Sequence, residues 1–381
     1  MIKQAIKSIA ELFGGMLIIT GVAFLITMTM MGKSPEEIAG ILSEADFADI
    51  AKSCAMSVAV FIVTMMPQFA IHEVGHLIGG LLTGYRLVSF RIGSTALTRH
   101  GGRFSLRSYN LAYRGVQCIM APPDTTPETM PYVIYNAGGI IANAVTAIAA
   151  TAALLQYSHI PSLIFYLLLF TAITGFILTV SSSIPKKSNG NNNDAYTIML
   201  FHRNILSRKL FADQMHIKAM LINGTRPKDI PENLFEIPSP TDYFDDTHVS
   251  AVIMAASRKL DTGDTAKAHA ILREAESHRD EIRSFLVMDI ESELLYTSLV
   301  LGDIAGARLL YTPILKMYIT GHSLEMSSKS RTLCAVAMLM DGDEAEARRI
   351  YGEMEANRSR YMMQGEAEMD LALARAVIGR Q

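Results

Sequence analysis

The sequence predicts a mainly α-helical, polytopic membrane protein of about four transmembrane helices, with a short cytoplasmic β-hairpin region and a C-terminal soluble α-helical repeat domain. Half of the 381 residues are hydrophobic, and long apolar stretches in the first half of the chain hold most of that excess. The second half has the composition of an ordinary soluble helical protein. The net charge of −3 gives no reason to expect a nucleic-acid partner, and the three widely separated cysteines predict neither disulfides nor a cysteine-based metal site.

Four segments are long and apolar enough to cross a bilayer, which takes about 20 residues of helix. They are 12–31, 53–83 and two from 130–184, a stretch without Asp, Glu, Lys or Arg that "YSHIPS" (157–162) divides. The first segment is longer than the apolar region of a signal peptide, about 7–15 residues, and no clear cleavage site follows it. We therefore expect it to be retained.

The distribution of basic residues predicts the orientation of these helices, because Lys and Arg are enriched in cytoplasmic loops. The loop 85–129 carries six arginines, the loop 33–52 is mainly acidic, and lysines flank the first and fourth segments. Both termini and the loop 85–129 are therefore expected on the cytoplasmic side. Since no eukaryotic targeting signal is present, a bacterial plasma membrane is the expected location.

The expected organisation is an N-terminal transmembrane helix and outer loop (1–50), a membrane core (51–206) and a cytoplasmic helical-repeat domain (207–381). Within the core, the loop 85–115 alternates apolar and polar residues in short runs broken by Gly, which predicts strands and hairpins. Its arginines suit an anionic membrane face. An edge strand that guides a substrate, or a plain solvated basic loop, are the alternatives.

A repeat is visible in the C-terminal region. "GDTAKAHAIL" begins at Gly263, "GDIAGARLLY" at Gly302 and "GDEAEARRIY" at Gly342, with spacings of 39 and 40 residues. Each combines a Gly-Asp turn with a helix that has small residues at packing positions, as in tetratricopeptide-like hairpins, although that family has a period of about 34. The alternative is an ordinary helical bundle. In either case contact with a regulatory protein partner is the expected role.

The second apolar segment contains "HEVGH", an H-E-x-x-H pattern formed by His72, Glu73 and His76. Histidines four residues apart on a helix lie on one face and can bind one Zn²⁺ ion together, while the glutamate can act as general base toward a water. A catalytic zinc site needs one more protein ligand. Ionisable groups in a membrane segment are costly and usually functional. The alternative is a hydrogen-bonded core histidine pair or a polar patch where the helix leaves the bilayer.

The stretch "HEVGHLIGGLLTG" (72–84) resembles the active-site helix of the site-2 protease family of intramembrane zinc metalloproteases. That family also has a Gly-x-x-x-Asn element, which Gly139 and Asn143 match, with Ile140 where Pro is usual. The resemblance implies that Asn143 bonds the substrate backbone or stabilises the oxyanion. Packing of its amide between helices is the alternative.

A third family element is Asn-x-x-Pro-x-x-x-x-Asp-Gly, whose Asp is the third zinc ligand. Here Pro185 and Asp194 resemble it, but Ser182 replaces the Asn, Ala195 replaces the Gly, and the spacing is four residues longer. Asp194 is then the third ligand that the resemblance implies, with His202 as its rival.

Two further considerations bear on Asp194. It is the only acidic residue between Glu128 and Asp213, so no other carboxylate is available in that stretch. Its alternative role is to cap a helix beginning at Ala195.

The resemblance implies a zinc-dependent intramembrane endopeptidase that acts on membrane-embedded or membrane-surface proteins or peptides, in regulated proteolysis or peptide maturation. A different class of function is a zinc-binding membrane scaffold without proteolytic activity that acts through its repeats. A zinc transporter is a weaker alternative, because the other apolar segments offer few polar residues.

Overall fold

The computed structural model describes residues 18, 21–22, 24–26, 28–29, 32–44, 46–100, 103–111, 115–156, 161–187 and 192–379. Within them the chain is mainly helical, with one small antiparallel sheet, as the sequence predicts. Most of the expected first membrane helix (12–31) lies outside the described residues, as do most of the divider at 157–162 and part of the polar insert that precedes Asp194.

The chain folds into two compact units. One comprises the described part of 1–75 together with Gly139–Ser183, and the other comprises His76–Gly138 and Ile184–Gln381. The boundaries after Gly75 and Gly138 fall inside the helices Phe47–Leu82 and Tyr132–Gln156 and not in a linker.

The described residues form the following helices in chain order, and the sheet lies between the second and the third of them. They are α1 (Pro35–Glu44), α2 (Phe47–Leu82), α3 (Tyr132–Gln156), α4 (Ser162–Ser183), α5 (Asp194–Arg203), α6 (Ile205–Ile222), α7 (Asp246–Asp261), α8 (Thr265–Ser277), α9 (Ser284–Leu301), α10 (Ile304–Leu310), α11 (Pro313–His322), α12 (Ser327–Ala335), α13 (Glu344–Ala356) and α14 (Gln364–Ile378). A π-helical turn (Val336–Asp341) follows α12.

Among the described residues, three helices are long and apolar enough to cross a membrane: Ala51–Leu82 of α2, Tyr132–Gln156 and Ser162–Ser183. They correspond to the second, third and fourth predicted segments. Helices of this length satisfy their own backbone hydrogen bonds, which is what a hydrocarbon environment requires.

In the first unit these helices are joined by a buried amide. Gln68 on α2 accepts a hydrogen bond from Thr146 Oγ1 on α3 at 3.2 Å and donates one to the Thr171 carbonyl on α4 at 3.3 Å. Gly175 allows the close approach, because a Cβ there would lie 3.1 Å from atoms of both other helices. Interhelical hydrogen bonds and small residues are typical of helix packing in membranes.

The sheet belongs to the second unit and has the order β3-β2-β1-β4, all antiparallel. Its strands are β1 (Arg86–Ile92), β2 (Thr95–His100), β3 (Arg103–Ser108) and β4 (Val116–Ala121). The strands and hairpins expected in 85–115 are therefore present, and β4 extends the sheet beyond that range. Val88, Ala96 and Tyr109 pack with Ile222, at the end of α6, and with Met362, in the segment before α14.

The three Gly-Asp turns have one local structure. Each glycine has a positive φ, between 69° and 88°, where other residues are strained. Each aspartate that follows caps the next helix by accepting a backbone N–H three residues on. The alanine five residues after each glycine is fully buried: Ala268, Ala307 and Ala347. The repeated sequence therefore forms the same helix–turn–helix joint three times.

Candidate metal centre

Helix α2 carries both motif histidines on one face. Residues four apart on an α-helix are about one turn apart, so the side chains of His72 and His76 project from the same side. The helix is continuous through both positions. His76 is buried and His72 is half-buried.

A backbone carbonyl orients the second histidine. His76 Nδ1 donates a hydrogen bond to the Tyr135 carbonyl oxygen at 2.9 Å. Because a carbonyl only accepts, Nδ1 carries the proton and Nε2 is the nitrogen that can bind a metal. Metal-binding histidines are commonly held in this way. The Tyr135 ring stacks on Tyr85 with centroids 4.5 Å apart, which fixes the residue that supplies the carbonyl.

The first histidine contacts Asn143 of α3. Asn143 is fully buried, and its Nδ2 lies 3.0 Å from His72 Nδ1. Its Oδ1 is buried and makes no hydrogen bond to any residue that the structure describes. Half a turn of the carboxamide exchanges two nearly isosteric ends. With the carboxamide in that orientation, His72 Nδ1–H would donate to Oδ1, and Nε2 would be the nitrogen that can bind a metal. The expected contact of Asn143 with a substrate stays a prediction.

Asp194 is the first residue of α5, but it does not cap that helix. Asn193 is the cap, and its side chain accepts the Tyr196 N–H at 3.0 Å. The same side chain accepts the Lys186 N–H at 3.0 Å and donates to the Ile184 carbonyl at 2.6 Å. These bonds tie the start of α5 to the residues that follow α4. Asn193 is therefore the residue that caps α5, and the alternative role of Asp194 as the helix cap is not observed.

The three expected ligands lie together. Asp194 Oδ1 is 3.4 Å from His76 Nε2. One ligand atom from each of His72, His76 and Asp194 lies within 4.8 Å of the other two. Two ligands that share a tetrahedral zinc ion at about 2.1 Å are about 3.4 Å apart. Two imidazoles and one carboxylate therefore fit a zinc ion with small side-chain movements. Within the described ranges, this is the one group of three or more His, Cys, Asp or Glu residues with such spacing.

The other two candidate residues have different surroundings. His202 is exposed, and its Nδ1 lies 3.3 Å from the Tyr132 hydroxyl. It is not a member of the three-residue cluster. Glu73 follows His72 directly and is half-buried, so it lies next to the cluster along the same helix.

Paired glycines allow the elements around His76 to approach closely. A Cβ at Gly79 would lie 2.5 Å from the Ile134 carbonyl oxygen, and one at Gly80 would meet the Met120 side chain. The last turns of α2 therefore pack directly on the first turn of α3, where Tyr135 lies. Tyr135, which orients His76, and Asn193, which precedes Asp194 and caps its helix, lie outside the sequence motifs and were not predicted. The glycines in "LIGG" and "NAGG" are the sequence signal for the close helix contact.

Comparison with family models, with curated proteins and with solved structures finds no match for this chain. The functional argument therefore depends on the chemistry and geometry of the cluster.

Proposed function

We propose that the chain is a zinc-dependent intramembrane endopeptidase, similar to the site-2 proteases, that hydrolyses peptide bonds of membrane-embedded or membrane-surface substrates. One observation carries this proposal: His72, His76 and Asp194 lie within 4.8 Å of one another, and the histidines are on a helix of membrane-spanning length. Buried ionisable groups in such helices are usually functional. A carboxylate beside two histidines also suits a divalent cation better than it suits packing.

The residues have distinct roles in this proposal. His72, His76 and Asp194 would hold the zinc ion, which lowers the pKa of a water molecule and polarises the carbonyl that is attacked. Glu73 accepts the proton of the attacking water and later donates it to the leaving amine, so that the peptide bond breaks without a free hydroxide or amide ion. Tyr135 and Asn143 hold the two imidazole rings in place.

A membrane substrate adds a conformational requirement. The amides of a transmembrane helix are already hydrogen-bonded, so the segment to be cut must unwind before water can reach its carbonyl carbon. Strands β3 and β4 are the edges of the sheet, and an edge has backbone groups that can pair with an extended segment. We propose that one of these edges binds the unwound substrate.

The expected topology places the Gly-Asp helical repeats and both termini on the cytoplasmic side of a bacterial plasma membrane. In this topology 12–31 is a membrane helix in addition to the three described above. The repeats are then a surface for a regulatory protein. The excess of arginine in the loop 85–129 supports this orientation.

The test is the zinc content of the detergent-purified chain, with Asp194→Ala compared with His202→Ala as the matched control. We expect about one zinc ion per chain in the wild type and in His202→Ala. In Asp194→Ala the affinity for zinc should fall by about 100-fold, because one of the three protein ligands is removed. Equal zinc binding in Asp194→Ala would exclude this ligand set. Absence of zinc from the metal-loaded wild type would exclude the proposed enzyme.

A membrane scaffold is the second candidate function. The departures at Ser182 and Ala195 from the family pattern favour it, since they fall in the element that supplies the third ligand. A scaffold keeps its function when Glu73 is replaced, whereas the proposed enzyme does not.

A further inference from the structure

The C-terminal helices of the second unit enclose a cavity of about 500 Å³, separate from the proposed zinc site. Helices α6, α7, α9, α12 and α14 contribute to its wall. The volume is in the usual range of small-ligand sites, about 300–1,000 Å³. The lining is largely apolar and rich in methionine, and it includes one basic side chain, Lys218, and the carboxylates of Asp289, Glu325 and Glu366. Asp289 is paired with Lys329 and Glu325 with His322. Lys218 and Glu366 are the charged side chains of the lining that have no close partner among the described residues. The residues that matter here are Met254, Met326, Met362, Met363, Lys218 and Glu366.

Lys218 and Glu366 are half-buried, and they differ from the buried charges Lys329 and Arg331 of the same group of helices. Lys329 is paired with Asp289 at 2.7 Å, and Arg331 is paired with Asp370 at 2.7 Å. Neither Lys218 nor Glu366 makes a hydrogen bond or a close ion pair with any residue of the described ranges. Lys218 lies near enough to Glu366 for the carboxylate charge to favour the protonated form of the lysine.

Without a ligand, Lys218 and Glu366 lose part of their hydration and gain no close ion-pair partner. Burial lowers the pKa of the Lys218 ammonium group. Burial, and then the neighbouring Asp370 carboxylate, raises the pKa of Glu366 to about 7. Methionine or leucine at these positions would match the rest of the lining without the desolvation cost. A ligand that supplies the missing partners would offset that cost.

We propose that this cavity binds a small zwitterion with an apolar body, namely an apolar α-amino acid or a short apolar peptide. The ligand carboxylate pairs with Lys218, the ligand ammonium group pairs with Glu366, and the apolar side chain packs against the methionines. Methionine is flexible and polarizable, so the lining can adapt to several apolar side chains. A purely anionic ligand would leave Glu366 without a partner, and a purely cationic one would leave Lys218 without one. The site does not depend on zinc or on proteolysis.

The experiment is a calorimetric titration of the full chain in detergent with L-leucine and with trileucine, which distinguishes a free amino acid from a peptide. Binding of either one, with a Kd below about 1 mM, is the expected result. Leucinamide lacks the carboxylate and 4-methylpentanoate lacks the ammonium group. Each should bind about tenfold more weakly than leucine, if leucine is the ligand.

The variants are Lys218→Met and Glu366→Gln, with the exposed residues changed in Lys267→Met and Glu274→Gln as matched controls. Each cavity variant should weaken binding about tenfold or more, and the controls should leave it unchanged. Thermal unfolding shows whether the variants fold. Lys218→Met should raise Tm by about 2 °C, because an unpaired buried charge is removed.

Three results would overturn the proposal. They are no heat of binding with either zwitterion up to about 10 mM, equal binding by wild type and both cavity variants, or a Tm that falls in Lys218→Met because the lysine supports the fold. Zinc content is measured in the same samples. Loss of zwitterion binding with normal zinc content is then distinguished from failure of the metal centre.

Discussion

Two polar clusters of the described residues, one around Arg331 and one around His76, differ in how their charges are balanced. In the C-terminal helices, the fully buried Arg331 lies between the carboxylates of Asp370 and Glu293, so the protein supplies both signs of charge. At the end of α2, His72 and His76 lie with Asp194, and the one side chain of fixed charge in that cluster is an anion. Arg331 is neutralised by its neighbours, whereas the histidine cluster is best completed by a cation from outside the chain.

This difference distinguishes a buried polar group that stabilises the fold from one that, in the proposed function, takes part in a reaction. Removal of one partner from the arginine cluster should lower stability and leave chemistry unchanged. Changes at the histidine cluster should alter metal binding or catalysis more than stability. The predictions below test that separation.

The largest effect is expected for Glu73→Gln. The glutamine cannot accept a proton from water, so hydrolysis of fluorescein-labelled casein in detergent should fall by about 10³-fold, while zinc content stays near that of the wild type. Glu128→Gln changes an exposed glutamate before α3 and is the control. Equal activity of Glu73→Gln and the wild type would favour the scaffold function. It would also contradict the proposal that the histidine cluster, unlike the Arg331 cluster, takes part in a reaction.

The next effect is expected for Arg331→Leu. It leaves two buried carboxylates without their partner and should lower the free energy of unfolding by about 3–5 kcal/mol, measured by denaturant unfolding of the C-terminal helices. Arg349→Leu is the matched control, because Arg349 also bridges two carboxylates but is exposed, and little change is expected there. A loss of zinc in folded Arg331→Leu would contradict the assignment of this cluster to the fold alone.

The third effect concerns the packing that holds His76 in place. Gly79→Ala puts a methyl group against the Ile134 backbone carbonyl and should cost about 1–3 kcal/mol of stability. Gly80→Ala is the matched comparison, because the Met120 side chain that it meets can change rotamer, and a smaller cost is expected. Thermal unfolding of both variants checks this. An equal or larger loss in Gly80→Ala would show that the backbone contact is not the tighter one.

Much of the fold could be predicted from sequence because its signals are local. The apolar runs predict the helices around Gln68 and Thr171, and Gly-Asp at 263, 302 and 342 predicts a glycine C-cap followed by an aspartate N-cap. The packing of the sheet against the C-terminal helices could not be predicted. It depends on contacts such as the Asn110 N–H to the Arg360 carbonyl, which join residues far apart in the chain.

The cluster of His72, His76 and Asp194 was predictable only in part, again because only some of its signals are local. His72 and His76 are related by helix geometry, and the spacing alone places them together. Asp194 lies more than 100 residues further along the chain, and sequence spacing alone does not place it beside them. The hydrogen bond from His76 to Tyr135 could not be predicted from the sequence, because it uses a backbone carbonyl, which every residue type has.

The smallest effect is expected for Asn193→Ala, and it tests how Asp194 is held. Asn193 caps α5 and also bonds Ile184 and Lys186, so its loss should cost about 1 kcal/mol of stability and weaken zinc binding about tenfold. Asn204→Ala is the matched control, since Asn204 caps α6 in the same way but has no bond to the residues before Asp194.

The two asparagine variants should therefore lose similar stability and differ in zinc affinity, measured by competition with a fluorescent chelator. Equal zinc affinity in both would mean that Asp194 is positioned by α5 itself, because the cap would then contribute only helix stability. If zinc affinity falls equally in both variants, the position of the Asp194 carboxylate depends on the overall stability of the second unit and not on Asn193. Only the predicted difference assigns Asn193 the specific role of orienting the carboxylate in the cluster.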